Sequence, residues 1–100
     1  LFVKHNSMFF KVKYENICYL KSDHVYVEIH TSDNKFLDRK SLSVYEDMLP
    51  KTQFIRIHRS YLINIDYIDA IGTSSVLVNG TELPVARTYK DDLMALIGES

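Results

Sequence analysis

The chain of 100 residues is poor in the residue types that build redox, phosphate-cradling and linker devices, with one cysteine, two prolines and three glycines. A single cysteine, Cys18, excludes an internal disulfide and accords with a reducing compartment. It stands in the apolar run ICYL, where cysteine serves as a small buried hydrophobe. The three glycines, Gly72, Gly80 and Gly98, are too scattered to form a glycine-rich loop around a nucleotide phosphate. There is no proline- or glycine-rich linker, no low-complexity stretch and no internal repeat. No run approaches the roughly 18 apolar residues of a membrane-spanning helix, and no signal peptide is visible. Positive charge is also scarce. The formal net charge is −1, which taken alone argues against a polyanion partner. Its distribution says more: residues 1–60 hold ten Lys/Arg against seven Asp/Glu, and residues 61–100 hold two against six. Any basic surface is therefore local and built mainly by the first sixty residues.

What remains is ordinary globular composition, 46% hydrophobic and 25% charged, in a length that predicts one domain. The dominant pattern is short alternating runs. In residues 25–29, Val25, Val27 and Ile29 face one way, with Tyr26, Glu28 and the flanking His24 and His30 opposite. Residues 8–14 alternate likewise, and further strands are predicted at 1–5, 17–21, 35–39, 54–57, 61–66, 68–72, 75–79 and 82–86. Turn signals separate them at HNS (5–7), TSDN (31–34) and the Asn79-Gly80 pair, the strongest hairpin signal in the chain. Two segments have helical spacing instead. In SLSVYEDMLP, Leu42, Tyr45, Met48 and Leu49 form a stripe, Ser41 or Ser43 caps the start, and Ser43 with Glu46 suits a capping box. In TYKDDLMALIG, Tyr89, Leu93, Leu96 and Ile97 form the stripe, with Thr88 as N-cap and Gly98 as stop. The expected fold is mostly β, antiparallel, with two short helices.

Catalytic constellations are missing. His24 and His30 share strand parity but lie six residues apart, about 20 Å along an extended strand, and no Cys/His spacing of a zinc site occurs. His58 and Ser60 are two apart without a paired acid or glycine elbow. The expectation is a non-enzyme without cofactor or metal, with His5 and His30 as solvated residues.

The run FIRIHRSYLINIDYI (54–68) is different, because Arg56, His58 and Arg59 interrupt two apolar runs. Alternation buries Ile55 and Ile57 on one side of the interruption and resumes with Tyr61, Ile63 and Ile65 on the other. HRS is therefore a raised turn or bulge between strands. Lys21, Ser22 and His24 in LKSDHVYV, and Arg87 in LPVARTYK, form two comparable clusters at strand ends. Arg can read guanine edges, while Ser, Thr and Lys suit phosphates. The residues alone leave DNA binding as one option among several.

The run RIHRSY after a helix ending in MLP, with LPVARTYKDDL about twenty residues on, resembles the LytTR-type DNA-binding domain of bacterial response regulators. The segment ENICYLKSDHVYVEIHT resembles that family's first block, and the resemblance extends in order over essentially the whole chain. It implies an elongated antiparallel β arrangement of about ten short strands with two short helices, and loops rather than a helix inserted into successive major grooves of double-stranded DNA. Carried over by position, it implies base contacts from His24, Arg59 and Arg87. It implies phosphate contacts from Ser60 and Lys90 and, more weakly, from Lys21 and Ser22, and leaves Arg56 and His58 to shape the turn. It also implies a cytoplasmic transcriptional regulator, residues 1–100 being a DNA-binding domain cut from a longer chain. Its partners would be an upstream receiver domain, a cognate histidine kinase, and a second copy in a homodimer on paired repeat sites. The competing expectation, motivated by low net charge and the acidic last forty residues, is a β-rich interaction module without DNA binding. A hydrolase using His58 and Ser60 is the third.

Overall fold

Short runs of β-branched and aromatic side chains, each ended by a turn residue, fold in the computed structural model into ten strands of four to seven residues; residues 1–98 are described. In chain order these are β1 (Phe2–His5), β2 (Met8–Lys11), β3 (Ile17–Asp23), β4 (Tyr26–Thr31), β5 (Lys35–Asp38), β6 (Phe54–His58), β7 (Tyr61–Asn64), β8 (Ile68–Ile71), β9 (Ser75–Val78) and β10 (Thr81–Pro84). Helix α1 (Leu42–Met48) lies between β5 and β6, and α2 (Arg87–Leu96) follows β10. β1 pairs with β2, three strands associate in the order β10-β9-β8, and five in the order β5-β4-β3-β7-β6. Every pairing is antiparallel. The fold is mostly β with two helices, as the alternation predicts.

The five-stranded sheet is the middle layer. Leu20, Val27, Ile29 and Leu62 on one face pack with Val3 of β1 and with Leu42, Tyr45 and Leu49 of the α1 segment. Ile57 and Ile63 on the other face pack with Val76, Val78 and Leu83 of the three-stranded sheet and Leu93 of α2. Each such side chain contributes roughly 1.5–3 kcal/mol by leaving water. Burial of both faces explains a departure from simple alternation: Leu62, Ile63 and Asn64 are all buried, and Ile65 has left the strand for a 3-10 turn, Ile65–Tyr67. Asn64 ends β7 by accepting from Asp66 N–H through its side-chain oxygen and donating to the Ile17 carbonyl at 2.8 Å.

The two edges of this sheet carry different neighbours. Beside β5 lies the β1–β2 hairpin, joined by a Leu37 N–H donating to His5 Nδ1 (3.3 Å) and by Phe10 against Phe36 (5.5 Å between centroids). Beside β6 lies the entry to α2, where Ala86 N–H donates to the Ile57 carbonyl at 2.9 Å. The result is elongated, 44 × 23 × 21 Å. The Asn79-Gly80 turn joins β9 to β10 with φ values of 47° and 83°, the left-handed pair of a tight hairpin.

Several local expectations are corrected. Ser41, not Ser43, caps α1, accepting from Val44 N–H at 3.2 Å. Glu46 forms no capping box; it pairs with Arg56 across the fold. Helix α2 begins one residue before Thr88 and has no side-chain cap. Only Leu93 of α2 is fully buried, while Leu96, Ile97 and, in α1, Met48 are exposed, because each helix meets the sheet along a narrow seam. Val25 is exposed because it sits in the hairpin connection rather than in β4. His5 and His30 are half-buried and partnered rather than freely solvated: the His30 ring stacks on Tyr19 at 4.2 Å and its Nε2 lies 2.9 Å from Glu28 Oε1. His5 accepts from Leu37 N–H and meets the Phe36 ring edge-on.

Candidate nucleic-acid interface

Strand direction gathers two of the three clusters at one end of the five-stranded sheet, and a backbone hydrogen bond brings the third beside them. β3 runs toward His24 and β4 leaves from it; β6 runs toward Arg59 and β7 leaves from it. Because β3 pairs with β7, with Lys21 opposite Tyr61, both hairpin connections emerge side by side. Ser22 N–H donating to the Ser60 carbonyl at 2.9 Å extends that pairing into the connections themselves. Their centres stand two strand spacings apart, about 10 Å. The third cluster joins at the β6 edge, where the Ala86–Ile57 bond sets Arg87, first residue of α2, beside the strand leading to His58.

The β6–β7 connection is braced from behind. Strand parity with Phe54 puts Arg56 on the α1 face, and a bulge between Arg56 and His58 then breaks the register and sets His58 with Tyr61 on the other. Only 13% exposed, the Arg56 side chain makes an ion pair with Glu46 (2.7 Å), donates through Nε to the His58 carbonyl (2.8 Å) and through Nη2 to the Arg59 carbonyl. His58 Nδ1 accepts from Ser60 N–H at 3.0 Å, which makes that ring nitrogen the unprotonated one. Arg56 and His58 thus both act on the backbone of the turn, and Arg59, which follows them, is exposed.

The β3–β4 connection has no such bracing. Asp23 opposes Tyr26, leaving His24 and Val25 as a two-residue tip. His24 adopts φ 56°, a left-handed conformation uncommon outside glycine and asparagine, and its side chain is 92% exposed. The nearest charge is Asp23, 3.7 Å away. Lys21 and Ser22 are half-buried just behind the tip, Lys21 with its ammonium 5.9 Å from the Tyr61 ring centre and Glu28 opposite in register. Burial pushes the Glu28 carboxyl up, but the His30 hydrogen bond and the charges of Lys35, His30 and Lys21 outweigh it and hold the group below its usual range. Arg87 is exposed. Lys90, one turn into α2, donates to the carbonyls of Gly72 (2.6 Å) and Thr73, tying the β8–β9 turn to the helix and leaving one of its three donors for another acceptor.

Sequence reasoning missed a fourth corner at the same end. β5 runs antiparallel to β4 with Asp38 opposite Val27, so Arg39 and Lys40 leave the sheet beside the His24 tip. The Arg39 guanidinium lies 5.6 Å from the centre of the Tyr26 ring. Asp38 anchors the corner, accepting from the buried Tyr45 hydroxyl, from Arg39 N–H (2.7 Å) and from Lys40 Nζ (3.4 Å). Burial raises the Asp38 pKa, and these donors reverse that and hold it below the ordinary carboxylate range; burial beside the same carboxylate drives the Tyr45 hydroxyl far up, so it stays protonated. The signal in the sequence is the Arg39-Lys40 pair, two adjacent cations at the end of the strand expected over 35–39. Among the described residues, no three His, Cys, Asp or Glu side chains converge as metal ligands, and no helix is long and apolar enough to cross a membrane.

Comparison with known proteins bears on what this end of the sheet does. Residues 7–98 match the family described as the LytTr DNA-binding domain. The sequence is 32% identical over 89 residues to the sensory transduction protein LytT of Bacillus subtilis, covering 83% of this chain and 37% of that protein. It is 34% identical over 93 residues to the transcriptional regulatory protein LytR of Staphylococcus aureus, covering 87% of this chain and 38% of the relative. A solved LytTr DNA-binding domain from Bacillus cereus superposes with a TM-score of 0.84 at 28% identity, over 98% of this chain and 95% of that one. The match thus takes in less than two fifths of the length of these curated relatives.

Proposed function

The chain belongs to the LytTR family of DNA-binding domains, and from that premise we propose that it is the sequence-specific output domain of a bacterial response regulator. The observation that carries this reading is the gathering of His24, Arg59 and Arg87, from three connections distant in sequence, at one end of one sheet. Two adjacent connections about 10 Å apart fit a major groove about 12 Å wide. The 44 Å length exceeds one turn of B-DNA, about 34 Å, so a domain laid along the duplex reaches beyond a single groove. In this reading His24, Arg59 and Arg87 contact base edges. Ser60, Lys21, Ser22 and the remaining donor of Lys90 contact phosphates.

Residues 1–100 then act within a longer cytoplasmic regulator, with a receiver domain upstream and a histidine kinase as its source of phosphate. Two copies occupy paired repeat sites on promoter DNA. No cofactor takes part.

Selection of bound sequences from a random DNA pool, followed by mobility-shift titration, tests the reading. Arg87→Ala is expected to weaken the selected site by about 5- to 150-fold, the value of one bidentate base contact of about 1–3 kcal/mol. Absence of any salt-sensitive, sequence-preferring binding below tens of micromolar (order of magnitude) overturns it. Salt-independent self-association in that situation would assign the chain to assembly instead.

A further inference from the structure

We infer that the corner between β5 and α1, together with the β1–β2 turn, is a clamp for one DNA backbone flanking the His24 tip; this rests on the function proposed above. Arg39 stands between two hollows. One, of about 400 Å³, is shared with His24, Tyr26 and Lys40. The other, of about 500 Å³, lies toward the β1–β2 turn and is lined by Lys4, Asn6, Ser7 and Tyr26 among others. Both open on the end of the sheet from which the His24 tip projects, so a duplex seated on that tip lays a strand across them.

The chemistry of the corner suits a phosphate rather than a base. Lys4, Arg39 and Lys40 supply three cations, all exposed. The one carboxylate among them, Asp38, borders the larger hollow but is nearly buried and already accepts from the Tyr45 hydroxyl, Arg39 N–H and Lys40, which offset its charge. Asn6 and Ser7 both hold left-handed backbone, with φ 51° and 66°, and keep two small polar side chains at the lip where bulkier ones would sit. Tyr26 supports the Arg39 guanidinium by its ring face, which orients the planar fork without using its donors. Cations spread over two shallow hollows without a convergent pattern recognise charge, and charge on DNA is its backbone. Asp23 is the opposing charge nearest the tip; it lies on the β3 side of His24, away from the corner.

The test uses the full chain on its selected site, comparing wild type with Arg39→Ala/Lys40→Ala and with Arg39→Lys over a range of salt. Circular dichroism checks the fold, which is expected intact because both side chains are exposed. The double variant is expected to bind both selected and unrelated duplexes about 10-fold more weakly. The slope of log affinity against log salt should fall by about 0.9 for each phosphate no longer neutralised. Phosphate ethylation should cease to interfere on one flank of the site only. Arg39→Lys, which keeps the charge, retains the slope. Unchanged affinity and slope in the double variant overturn the clamp while leaving the proposed function standing. A weakening confined to the selected sequence also overturns it, since that is the mark of a base reader. If wild type shows no sequence-preferring binding, both readings fall together.

Discussion

The β6–β7 turn and the β3–β4 tip leave neighbouring strands at the same end of one sheet, yet they are held in opposite ways. Behind the first stands Arg56, which joins Glu46 of α1 to two carbonyls of the turn, and His58, which accepts from Ser60 N–H. Behind the second stands backbone pairing without a side-chain brace, the β3–β4 ladder and the Ser22 N–H to Ser60 carbonyl bond; its tip residue bears a left-handed φ and an imidazole 92% exposed. The β5–α1 corner resembles the braced case, since Asp38 gathers three donors beneath Arg39. A braced turn presents its side chain with the backbone entropy already spent, which favours discrimination between bases. An unbraced tip loses that entropy on binding but adjusts to the groove it enters. In the function proposed above, Arg59 would then be a fixed reader and His24 a compliant one.

The largest effect should come from breaking the brace. Arg56→Ala removes a mostly buried guanidinium with three partners, and hydrogen bonds to charged groups are worth about 1.5–3 kcal/mol. Glu46 is 39% exposed and the freed carbonyls can take water, so the net cost is about 2 kcal/mol, a fall in Tm of about 8–16 °C for a domain of this size. DNA affinity should fall further than in Arg59→Ala, because the turn carrying both Arg59 and Ser60 loosens. Thermal unfolding and mobility shift on the same preparations check this. An Arg56→Ala chain with unaltered Tm would mean that the turn is held by its strands alone, and the contrast would dissolve.

A smaller effect separates the β5–α1 corner by pH. Asp38 has a folded pKa below its unfolded value of about 3.9, so its contribution is complete above that value and is lost as pH falls through the folded pKa. Tyr45→Phe removes one of the donors that depress it. The substitution should cost about 1–2 kcal/mol at pH 6 and measurably less near pH 3, where the wild type has itself begun to lose the interaction. Urea unfolding at the two pH values measures the difference. An equal cost at both would show that the hydroxyl contributes by packing rather than through the carboxylate.

How much of this is legible in the sequence follows from the range of each interaction. Alternation and the Asn79-Gly80 pair are local, and they locate the strands and one of their two-residue hairpins. The raised turn at 58–60 is legible because charge interrupts two apolar runs over a few residues. Glu46 reads locally as a capping residue because its partner Arg56 comes from the next strand and meets it only once that strand packs its Phe54–Arg56 face against α1. His30 reads as solvated because Tyr19 and Glu28 reach it through cross-strand register and strand parity, which no local motif encodes. Arg39 escapes notice for a similar reason. A cation at a strand end is unremarkable until the sheet order sets β5 two strands from β3 and brings Arg39 beside the His24 tip.

The unbraced tip offers the smallest and sharpest test. At φ 56°, a residue with a Cβ costs on the order of 1 kcal/mol relative to glycine, partly offset because glycine gives the unfolded chain more freedom. His24→Gly should therefore raise stability slightly, by up to about 0.5–1 kcal/mol, while weakening DNA binding. Stability and affinity then move in opposite directions, which no substitution in the braced turn should produce. His24→Ala separates the two causes: it keeps the strained backbone without the imidazole, so it should lose affinity with no gain in Tm. Paired measurements of Tm and dissociation constant on the three chains decide it. If His24→Gly loses stability, the imidazole supports the fold and the tip is braced after all. If affinity is unmoved in both variants, the exposed ring has no part in recognition, and its left-handed backbone is only the geometry that a two-residue connection between β3 and β4 imposes.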